Sequence, residues 1–438
     1  MSAPSLDLVI DDLTSEGSGV GRSAEGRAIF VPRTIPGEEV RARLVKEKRS
    51  WARAELVEIL TPGSDRRPPR CRLHHRCGGC QLQHITYARQ VAWKADRIRE
   101  ALARIGGIEV GEIEVEPAPD EFGYRNRISF TLRRLGGARV VAGFRDRESA
   151  HRIVNVTDEC LLPESGVIPA WTELRARWGQ GAERLPSGAE LRLTLRATDD
   201  GVVLVIEGGE TGNTDVRDAG KLIEEIPALL AVWHRPEGET RALLLGGART
   251  VDDRWFGEVL ALESSAFLQV NREGAHAVHR AVLGELGDPA GQRIVDAYAG
   301  VAPWGRRLAR HGARVIAIEF DDAAVRVARH EIPEGLEVWH GRVEEHLADA
   351  LPADRVLLNP PRAGIAASVI DTLLASPVPR VIYVSCDPAT LARDLARLAP
   401  GYEVRRVRGF DLFPQTAHVE TVVTLEMRAD GGTPSSTP

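Results

Sequence analysis

The sequence predicts a multidomain chain with three folded parts: a small N-terminal β-barrel, a central, mostly antiparallel α+β part, and a C-terminal α/β part. Residues 1–62 hold short stretches of alternating apolar and polar residues, separated by Gly and Pro and without helical periodicity. Residues 63–265 are again rich in such strands. From 266 to 428, apolar strands alternate with helical stretches, which indicates a doubly wound parallel sheet. The Gly-, Ser- and Thr-rich residues 429–438 are predicted to be disordered.

Local sequence patterns predict the individual strands and helices in order along the chain. Strands are predicted in LDLVIDDL, GRAIFVPRTI and WARAELVEIL, and the Pro-rich segment TPGSDRRPPR predicts a linker after them. A helix is predicted over about 86–106, where apolar residues recur at helical spacing before Gly-Gly, and we expect it to pack on the C-terminal part. The last two strands, EVRRVRGFDLFP and HVETVVTLEM, lack a helix between them and predict an antiparallel pair.

Composition excludes several classes of protein. The formal net charge is −6, which excludes a wholly basic nucleic-acid coat, although local basic patches remain compatible with RNA binding. No stretch approaches the roughly 18 apolar residues that a membrane span needs. The acidic N-terminus lacks the basic start and apolar run of a signal peptide. We expect a cytoplasmic protein without membrane contact, and the sequence gives no sign of an obligate protein partner.

The five cysteines fall into separate groups, and disulfides are not expected in a cytoplasmic chain. Cys71, Cys77 and Cys80 lie close together, and Cys160 follows eighty residues later. Four thiolates can hold either zinc or an iron–sulfur cluster. Zinc ribbons usually supply two close pairs, whereas this chain supplies one close triple and one remote cysteine. Spacing alone leaves both metals open.

The first strands of the C-terminal part end in residues suited to a nucleoside ligand. RIVDAYAG carries Asp296 and Tyr298 at its end, and RVIAIEF carries Glu319. An acidic side chain at such a strand end can accept hydrogen bonds from ribose hydroxyls, or it can be purely structural. The absence of G-x-G-x-x-G from this stretch favours an adenosyl ligand over a dinucleotide. The NPP segment that begins at Asn359 could hold a carbonyl or amide against a planar base, or be a plain stiffened loop.

Cys386 ends the next strand, RVIYVSC. Asp387 and Pro388 then begin a helix, whose N-terminus would stabilise a thiolate and lower the pKa of the thiol. Glu420 opens the last strand near the same edge of the sheet and could serve as a base. The alternatives are a buried, inert cysteine and a solvated carboxylate.

Five motifs together resemble the RNA uracil-5-methyltransferase family: YVSCDPATLARDL, HVETVV, NPPR, FLQVN and DAYAGV. The resemblance covers nearly the whole chain. It implies that residues 266–428 form a Rossmann-like, S-adenosylmethionine-dependent methyltransferase domain. It gives Cys386 the role of nucleophile and Glu420 that of base. It also implies S-adenosylmethionine contacts at four residues: Gln269, Tyr298, Glu319 and Asn359.

The resemblance extends to the other two parts. Residues 1–62 resemble a TRAM domain, which is an OB-like RNA-binding barrel. Residues 63–265 are expected to form an iron–sulfur and RNA-binding domain. The cysteines resemble the ligands of a [4Fe–4S] cluster in the ribosomal RNA branch of the family: Cys71, Cys77, Cys80 and Cys160. The segments YRNR and GFR resemble substrate-domain motifs and imply RNA contacts at Arg125, Arg127 and Phe144.

The implied reaction transfers a methyl group from S-adenosylmethionine to C5 of a uridine in RNA. Attack of the Cys386 thiolate on C6 raises the electron density at C5, and Glu420 accepts the C5 proton. A base inside a helix cannot present C6, so the target is expected to be unpaired or flipped out. The barrel and the cluster together suggest 23S rRNA of the large ribosomal subunit, with a tRNA uridine as the alternative.

Three departures from the family pattern lie near the cofactor or the target base. Asn359 stands where Asp is common, Ala302-Pro303 replaces Gly-Asn, and Arg342 occupies the place of a polar cofactor contact. They keep open an RNA-binding protein with a weakened cofactor site. An amino-group methyltransferase is a further alternative, but such sites usually continue NPP with an aromatic residue, whereas Arg362 follows here.

Overall fold

The computed structural model describes residues 5–210, 213–263 and 268–429, with the backbone alone for 213–217. The tail predicted over 429–438 lies outside these ranges apart from its first residue. No helix within the described ranges is long and apolar enough to cross a membrane.

Five strands form the N-terminal part: β1 (Ser5–Leu13), β2 (Gly19–Arg22), β3 (Ala28–Val31), β4 (Glu39–Glu47) and β5 (Trp51–Thr61). They close into a barrel in the order β1-β2-β3-β5-β4, which confirms the barrel predicted from the alternating pattern. Ile10, Ile29 and Val40 are buried inside it. Phe30 alternates with buried neighbours and therefore lies on the outer face.

A long helix, α1 (Tyr87–Arg104), packs against the C-terminal part of the chain. Its residues Ile98 and Leu102 are fully buried in a core that also contains Leu395 of that part. The short strand β6 (Val115–Glu116) then pairs with the outermost long strand of the C-terminal sheet. The C-terminal sheet is thus completed by a segment that precedes the whole central sheet in sequence.

The central part is a seven-stranded sheet with helices α2 (Val167–Arg177) and α3 (Asn213–Glu225) and a short 3-10 turn at Gln180–Ala182. Its strands are β7 (Arg127–Leu135), β8 (Arg139–Arg145), β9 (Ile153–Asn155), β10 (Glu190–Ala197), β11 (Val202–Glu207), β12 (Leu229–Arg235) and β13 (Leu243–Gly247). The order is β13-β12-β11-β10-β7-β8-β9. Only β11 and β12 pair in parallel among these described strands, so the mostly antiparallel character is confirmed.

A hairpin that the sequence patterns did not single out separates this sheet from the C-terminal part. Its strands are β14 (Val251–Trp255) and β15 (Glu258–Leu262). Phe256 and Gly257 turn between them with φ of 54° and 82°. A non-glycine residue at positive φ gives no sequence signal for such a turn, which explains why the hairpin was missed.

The C-terminal part alternates strands and helices, as predicted. Its helices are α4 (Arg272–Leu286), α5 (Pro303–Arg310), α6 (Asp322–Arg329), α7 (Val343–Ala350), α8 (Ala367–Ala375) and α9 (Pro388–Leu398). Its strands are β16 (Arg293–Ala297), β17 (Arg314–Glu319), β18 (Leu336–His340), β19 (Arg355–Leu358), β20 (Arg380–Ser385), β21 (Tyr402–Phe410) and β22 (Glu420–Met427).

The order of this sheet is β18-β17-β16-β19-β20-β22-β21-β6. The first five strands are parallel, and β22 lies antiparallel between β20 and β21, which confirms the predicted closing pair. The strand order reverses between β16 and β19. Ligands of doubly wound sheets bind at the carboxyl ends of the strands beside such a reversal.

Candidate active site

The pairing of β20 with β22 brings Cys386 and Glu420 together. Ser385, the last residue of β20, pairs with Thr421 of β22. Because the strands are antiparallel, the next position along each strand places Cys386 opposite Glu420. Two residues that are 34 positions apart in sequence therefore meet at one edge of the sheet.

The start of α9 fixes the backbone that follows Cys386. The Asp387 side chain accepts a hydrogen bond from Thr390 N at 2.8 Å and caps the helix, while Pro388 fills its first turn. The Ser385 hydroxyl lies 3.2 Å from Asp387 N, which donates to it. The cysteine thus sits at the turn between a buried strand and a capped helix, as the sequence predicts.

Burial controls the protonation of both groups. Glu420 is 3% exposed, and burial raises the pKa of its carboxyl to about 8, against the opposing charge of Arg362. Burial, and after it the Glu420 carboxylate, raise the pKa of the Cys386 thiol to about 11. The expectation of a lowered thiol pKa was wrong, because desolvation outweighs the helix N-terminus.

Two further side chains, the charged Arg362 and the polar His418, lie near Cys386 and Glu420. Arg362, exposed after the NPP segment, lowers the pKa of the Cys386 thiol and of the Glu420 carboxyl through its positive charge. His418 packs edge-to-face on Phe413 at 5.8 Å, and burial lowers the pKa of its imidazole to about 4. A neutral imidazole and a guanidinium therefore face the same small region.

The expected ribose site lies at the ends of β16 and β17. One oxygen of the Glu319 carboxylate accepts a hydrogen bond from Gly300 N at 2.7 Å. The other accepts from the backbone N–H groups of Phe320 and Asp321, at 2.8 and 2.7 Å. Glu319 thus holds the loop after β16 closed, and the oxygen that accepts only from Gly300 N still has a lone pair for a ribose hydroxyl.

The loop after β16 has an unusual backbone. Tyr298, Gly300 and Ala302 all have positive φ, of 60°, 58° and 55°. The Tyr298 hydroxyl donates to the Glu344 carboxylate at 3.2 Å and is held toward α7. Backbone strain of this kind persists where the surrounding structure over-determines it, and it concentrates at ligand sites.

The structure places the other two expected cofactor residues, Asn359 and Gln269, in different surroundings. The Asn359 N–H donates to Ala297 O at 3.2 Å, so the NPP segment is tied to the end of β16. Gln269 is half-buried, and its carbonyl accepts from the Asn126 amide at 2.9 Å. The bond from Asn126 joins the Gln269 segment to the central part of the chain.

The structure shows the conformation and surroundings of Ala302, Pro303 and Arg342, three residues that depart from the family pattern. Ala302 takes the left-handed conformation at the N-cap of α5, which explains why glycine suits this position. Pro303 follows in the first turn, where proline is tolerated. Arg342 caps α7, and its guanidinium lies 4.4 Å from the centre of the exposed Phe320 ring, beside Glu319.

One large cleft runs from the barrel across the central sheet to Cys386 and His418. The barrel contributes the outward-facing rings of Phe30 and Trp51, whose centroids lie 6.1 Å apart. The central sheet contributes the ring of Phe144. Five arginines line the cleft: Arg53, Arg97, Arg145, Arg147 and Arg192.

Sequence reasoning did not single out the two barrel aromatics. The alternation in AIFV gives a signal, since Ile29 and Val31 point inward and Phe30 therefore points out. The position of Trp51 beside it depends on the pairing of β3 with β5, where Ala28 pairs with Trp51. Because β4 lies between β3 and β5 in the sequence, the sequence alone does not place the two rings side by side.

The three expected RNA-binding residues are placed differently. Phe144 lines the cleft, whereas Arg125 and Arg127 are not among the described residues that line it. Arg125 donates to the Tyr124 hydroxyl at 3.3 Å and faces the cysteines, since its charge lowers the pKa of Cys80. Arg127 begins β7 opposite Arg196 of β10.

The structure brings the four expected ligand cysteines to one small cavity between the segment 71–83 and the segment 156–162. Gly79 N lies 3.4 Å from the Cys77 sulfur and donates to it. Burial raises the pKa of each of these thiols. No three His, Cys, Asp or Glu side chains within the described ranges are arranged to hold a metal ion, although the four cysteines line this one cavity.

Comparison with known proteins gives this site its context. Residues 340–428, which include Cys386 and Glu420, match the family model described as tRNA (Uracil-5-)-methyltransferase, and residues 6–57 match the TRAM domain. An uncharacterized RNA methyltransferase of Synechocystis sp. is 34% identical over 96% of this chain and 95% of its own. The chain belongs to the RNA uracil-5-methyltransferase family.

Other relatives of this uracil-5-methyltransferase agree. An uncharacterized RNA methyltransferase of Gloeobacter violaceus is 33% identical over 97% of both chains. Among solved structures, the Pyrococcus abyssi tRNA (uracil-54, C5)-methyltransferase in complex with S-adenosyl-L-homocysteine is 25% identical, with a TM-score of 0.74. That match covers 96% of this chain and all of the other. The prediction that the chain is an RNA methyltransferase enzyme with a TRAM barrel is confirmed. The ribosomal branch and the iron–sulfur cluster stay predictions.

Proposed function

We propose that this enzyme transfers a methyl group from S-adenosylmethionine to C5 of a uridine in RNA, through a covalent adduct between Cys386 and C6. The single observation that carries the proposal is the register of β20 and β22, which sets Cys386 opposite Glu420. A nucleophile that lines the cleft, with a buried carboxyl opposite it on the next strand, fits covalent catalysis followed by proton removal.

The first step is addition of sulfur to C6. The Cys386 thiol loses its proton to the water of the cleft as the S–C6 bond forms. The electrons of the C5=C6 bond move toward C5 and the O4 carbonyl, which makes C5 a carbon nucleophile. The positive charge of Arg362 favours the thiolate and opposes the effect of burial on the thiol pKa.

When bound, S-adenosylmethionine would supply an electrophilic methyl group to C5, and the sulfonium–methyl bond would break so that S-adenosylhomocysteine leaves. Glu420, as carboxylate, then takes the C5 proton. The electrons of the C5–H bond restore C5=C6, the S–C6 bond breaks, and Cys386 leaves as a thiolate. A carboxyl whose pKa lies near 8 is a stronger base near neutral pH than an ordinary glutamate.

Four residues are proposed to hold S-adenosylmethionine: Gln269, Tyr298, Glu319 and Asn359. The support for the last three is their position at the ends of β16, β17 and β19, around the reversal of strand order, together with the strained loop at Tyr298. Gln269 is proposed on the resemblance of FLQVN to the family motif. If the departures at this site had abolished the binding of S-adenosylmethionine, the chain would be an RNA-binding protein. Calorimetry with S-adenosylmethionine separates the two cases.

The cleft is proposed to hold RNA with the target uridine unpaired. Stacking on aromatic rings suits single-stranded bases, and the half-buried Phe144, Phe30 and Trp51 supply such rings along the cleft. Arg125 and Arg127 remain proposed RNA contacts, although RNA would have to approach them from outside the cleft.

The four cysteines are proposed to hold a [4Fe–4S] cluster. Four thiols in one shared cavity, with a backbone N–H directed at sulfur, are a donor set that fits such a cluster. Zinc needs the same thiolates and remains the rival. When bound, the cluster would join the segment 71–83 to the segment around Cys160.

The target is proposed to lie in 23S rRNA, on the combination of the TRAM barrel with the four cysteines. A tRNA uridine is a second candidate, favoured by the likeness to the tRNA methyltransferase of Pyrococcus abyssi. Sequencing of methylated positions in cells with and without the gene distinguishes the two: a uridine methylated only when the gene is present identifies the target.

Release of tritium from 5-[3H]uridine RNA tests the reaction, because only substitution at C5 expels this label. Wild-type enzyme with S-adenosylmethionine should release tritium, and Cys386→Ala should release none while still binding RNA. RNA with 5-fluorouridine at the target should form an adduct that survives denaturing electrophoresis, since fluorine cannot leave as a cation. Full activity of Cys386→Ala would show that the mechanism is wrong.

A further inference from the structure

The segment that leads into Glu420 is held mainly by groups from outside it. We call residues 411–418 the base loop. Five of its carbonyl oxygens accept hydrogen bonds from other segments of the chain. Four carbonyls accept from side chains: Leu412 from Asn271, Phe413 from Lys94, Pro414 from Tyr124 and Ala417 from Arg97. The fifth, that of Gln415, accepts from the backbone N–H groups of Gln81 and Leu82.

Gln415 is the centre of these contacts. It is fully buried, and its backbone has φ of 69°, which is unfavourable for a residue with a side chain. Its N–H donates to the Gln90 side-chain oxygen at 3.0 Å, and its own side-chain oxygen accepts from the Gln90 amide at 3.1 Å. Its amide donates to Glu121 at 2.9 Å. Gln90 of α1 therefore forms hydrogen bonds with both the backbone and the side chain of Gln415, whose backbone is strained.

A buried charge pair fixes the start of the base loop. Lys94, also on α1, lies 2.6 Å from the Asp411 carboxylate, and both side chains are fully buried. Tyr124 donates to Pro414 O at 2.9 Å. Breaking a buried pair of this kind leaves an uncompensated charge, so the loop has one strongly favoured position relative to α1.

The cysteine-rich segment contributes directly. Gln81 and Leu82, which follow Cys80, donate to Gln415 O, each at 2.9 Å. The backbone after Cys80 and the base loop are therefore joined by two hydrogen bonds, whatever the cysteines hold. Glu420 begins β22 two residues after the base loop ends, so the loop sets where the carboxyl enters the site.

We propose that Gln415, held by Gln90 and by the backbone after Cys80, is a positioning residue that sets Glu420 against Cys386 for removal of the C5 proton. The inference rests on the proposed function, because it assigns the base loop to the second half of that reaction. Addition of sulfur to C6 depends on Cys386, which lies between β20 and the capped start of α9. A disturbed base loop should therefore slow proton removal and spare the formation of the adduct.

Two variants test this, with one matched control. Gln90→Met removes the amide and keeps the length of the side chain. Tyr124→Phe removes only the hydroxyl that donates to Pro414. Tyr402→Phe is the control, since Tyr402 is equally buried in the same sheet and its hydroxyl binds Val378 N and Leu373 O, away from the site.

The measurement is a single turnover on 5-[3H]uridine RNA, with adduct followed on denaturing gels and tritium release followed in parallel. Gln90→Met should release tritium about tenfold more slowly, since small misplacements of a catalytic group have effects of this order. Tyr124→Phe should show a smaller slowing in the same step. Adduct should form at close to the wild-type rate and accumulate in both variants, and Tyr402→Phe should match wild type.

Glu420→Gln serves as the reference, because it should trap the methylated adduct fully. Absence of adduct in Glu420→Gln would contradict the proposed function itself. If Glu420→Gln traps adduct, the positioning role is overturned by wild-type release rates in both test variants, or by equal slowing of both steps. Where Gln90→Met fails to fold, Tyr124→Phe decides alone.

Discussion

At the scale of single residues, Glu420 combines deep burial with a charge that its proposed role requires. The pKa of its carboxyl is raised from 4.5 to about 8 by burial, so the fold favours the neutral form. Below about pH 4.5 the carboxyl is neutral in both the folded and the unfolded state, and its burial then has its full stabilising effect. As the pH rises toward 8, the unfolded chain ionises while the folded chain does not, so the free energy of unfolding falls. The charge needed for catalysis therefore destabilises the folded protein.

Glu420→Gln should reveal this cost. Because glutamine cannot ionise, the variant should gain stability over wild type as the pH rises from 5 to 8, by on the order of 3 kcal/mol. Urea denaturation of both proteins at the two pH values measures the difference. Glu224→Gln, at an exposed position of α3, should show no such pH dependence. A difference that does not change with pH would contradict the assignment of a raised pKa.

Glu319 is a second residue with two roles, since it closes the loop after β16 and is proposed to hold the ribose. Glu319→Ala should weaken binding of S-adenosylmethionine by about 2 kcal/mol, the scale of hydrogen bonds to a charged group. Isothermal calorimetry gives the affinity. Asp322→Ala, three residues away and with a largely exposed side chain, is the control and should bind normally. Equal affinity of Glu319→Ala and wild type would remove Glu319 from the cofactor site.

At the scale of elements, the segment 71–83 contacts the segment around Cys160 at the cysteine cavity, through the Cys71 thiol and the Glu159 carbonyl, and through the ion pairs of Arg72 with Asp158 and Glu159. Anaerobically purified protein should be brown and contain about four iron atoms per chain. Cys160→Ser should lose most of this iron, while Cys386→Ser, which changes the one cysteine outside the cavity, should keep it. Metal analysis that finds one zinc and no iron would favour the zinc alternative.

The elements were predictable to different degrees. Alternation and helical spacing are local properties, so the barrel strands, α1 and the parallel strands of the C-terminal sheet could be read from the sequence. The site residues Cys386 and Glu420 were placed by motif and by strand ends. Their facing positions were not available from the sequence, because they depend on the register of β20 and β22.

Other features depend on contacts that leave no local pattern. β6 has two residues and acquires its structure only by pairing with β21. The raised pKa of the Cys386 thiol follows from how deeply the folded chain buries it, whereas the helix N-terminus alone suggested the opposite direction. In the sequence Gln415 looks like an ordinary polar residue, because Gln90, to which it is hydrogen-bonded, lies more than three hundred positions away.

At the scale of the whole molecule, the cleft joins barrel, central sheet and catalytic edge into one surface. Arg53 on the barrel lines this cleft, and Arg22, exposed on β2, does not. Arg53→Ala should weaken RNA binding and lower the slope of log K against log salt by roughly 0.7, as expected for one lost phosphate contact on a single strand. Arg22→Ala should leave the slope unchanged. Filter binding over a series of salt concentrations measures both, and equal slopes for Arg53→Ala and wild type would exclude the barrel from the RNA path.

The placement of α1 and β6 in the C-terminal sheet has a consequence for biosynthesis. Helix α1 is translated about 300 residues before β21, the strand beside which β6 docks. At roughly 5–20 residues per second, the ribosome takes on the order of 15 to 60 seconds to deliver that partner. Until α9 and β21 emerge, the apolar face of α1, with Ile98 and Leu102, lacks most of the native surface that covers it. We therefore expect the nascent chain to be prone to aggregation until its last strands emerge.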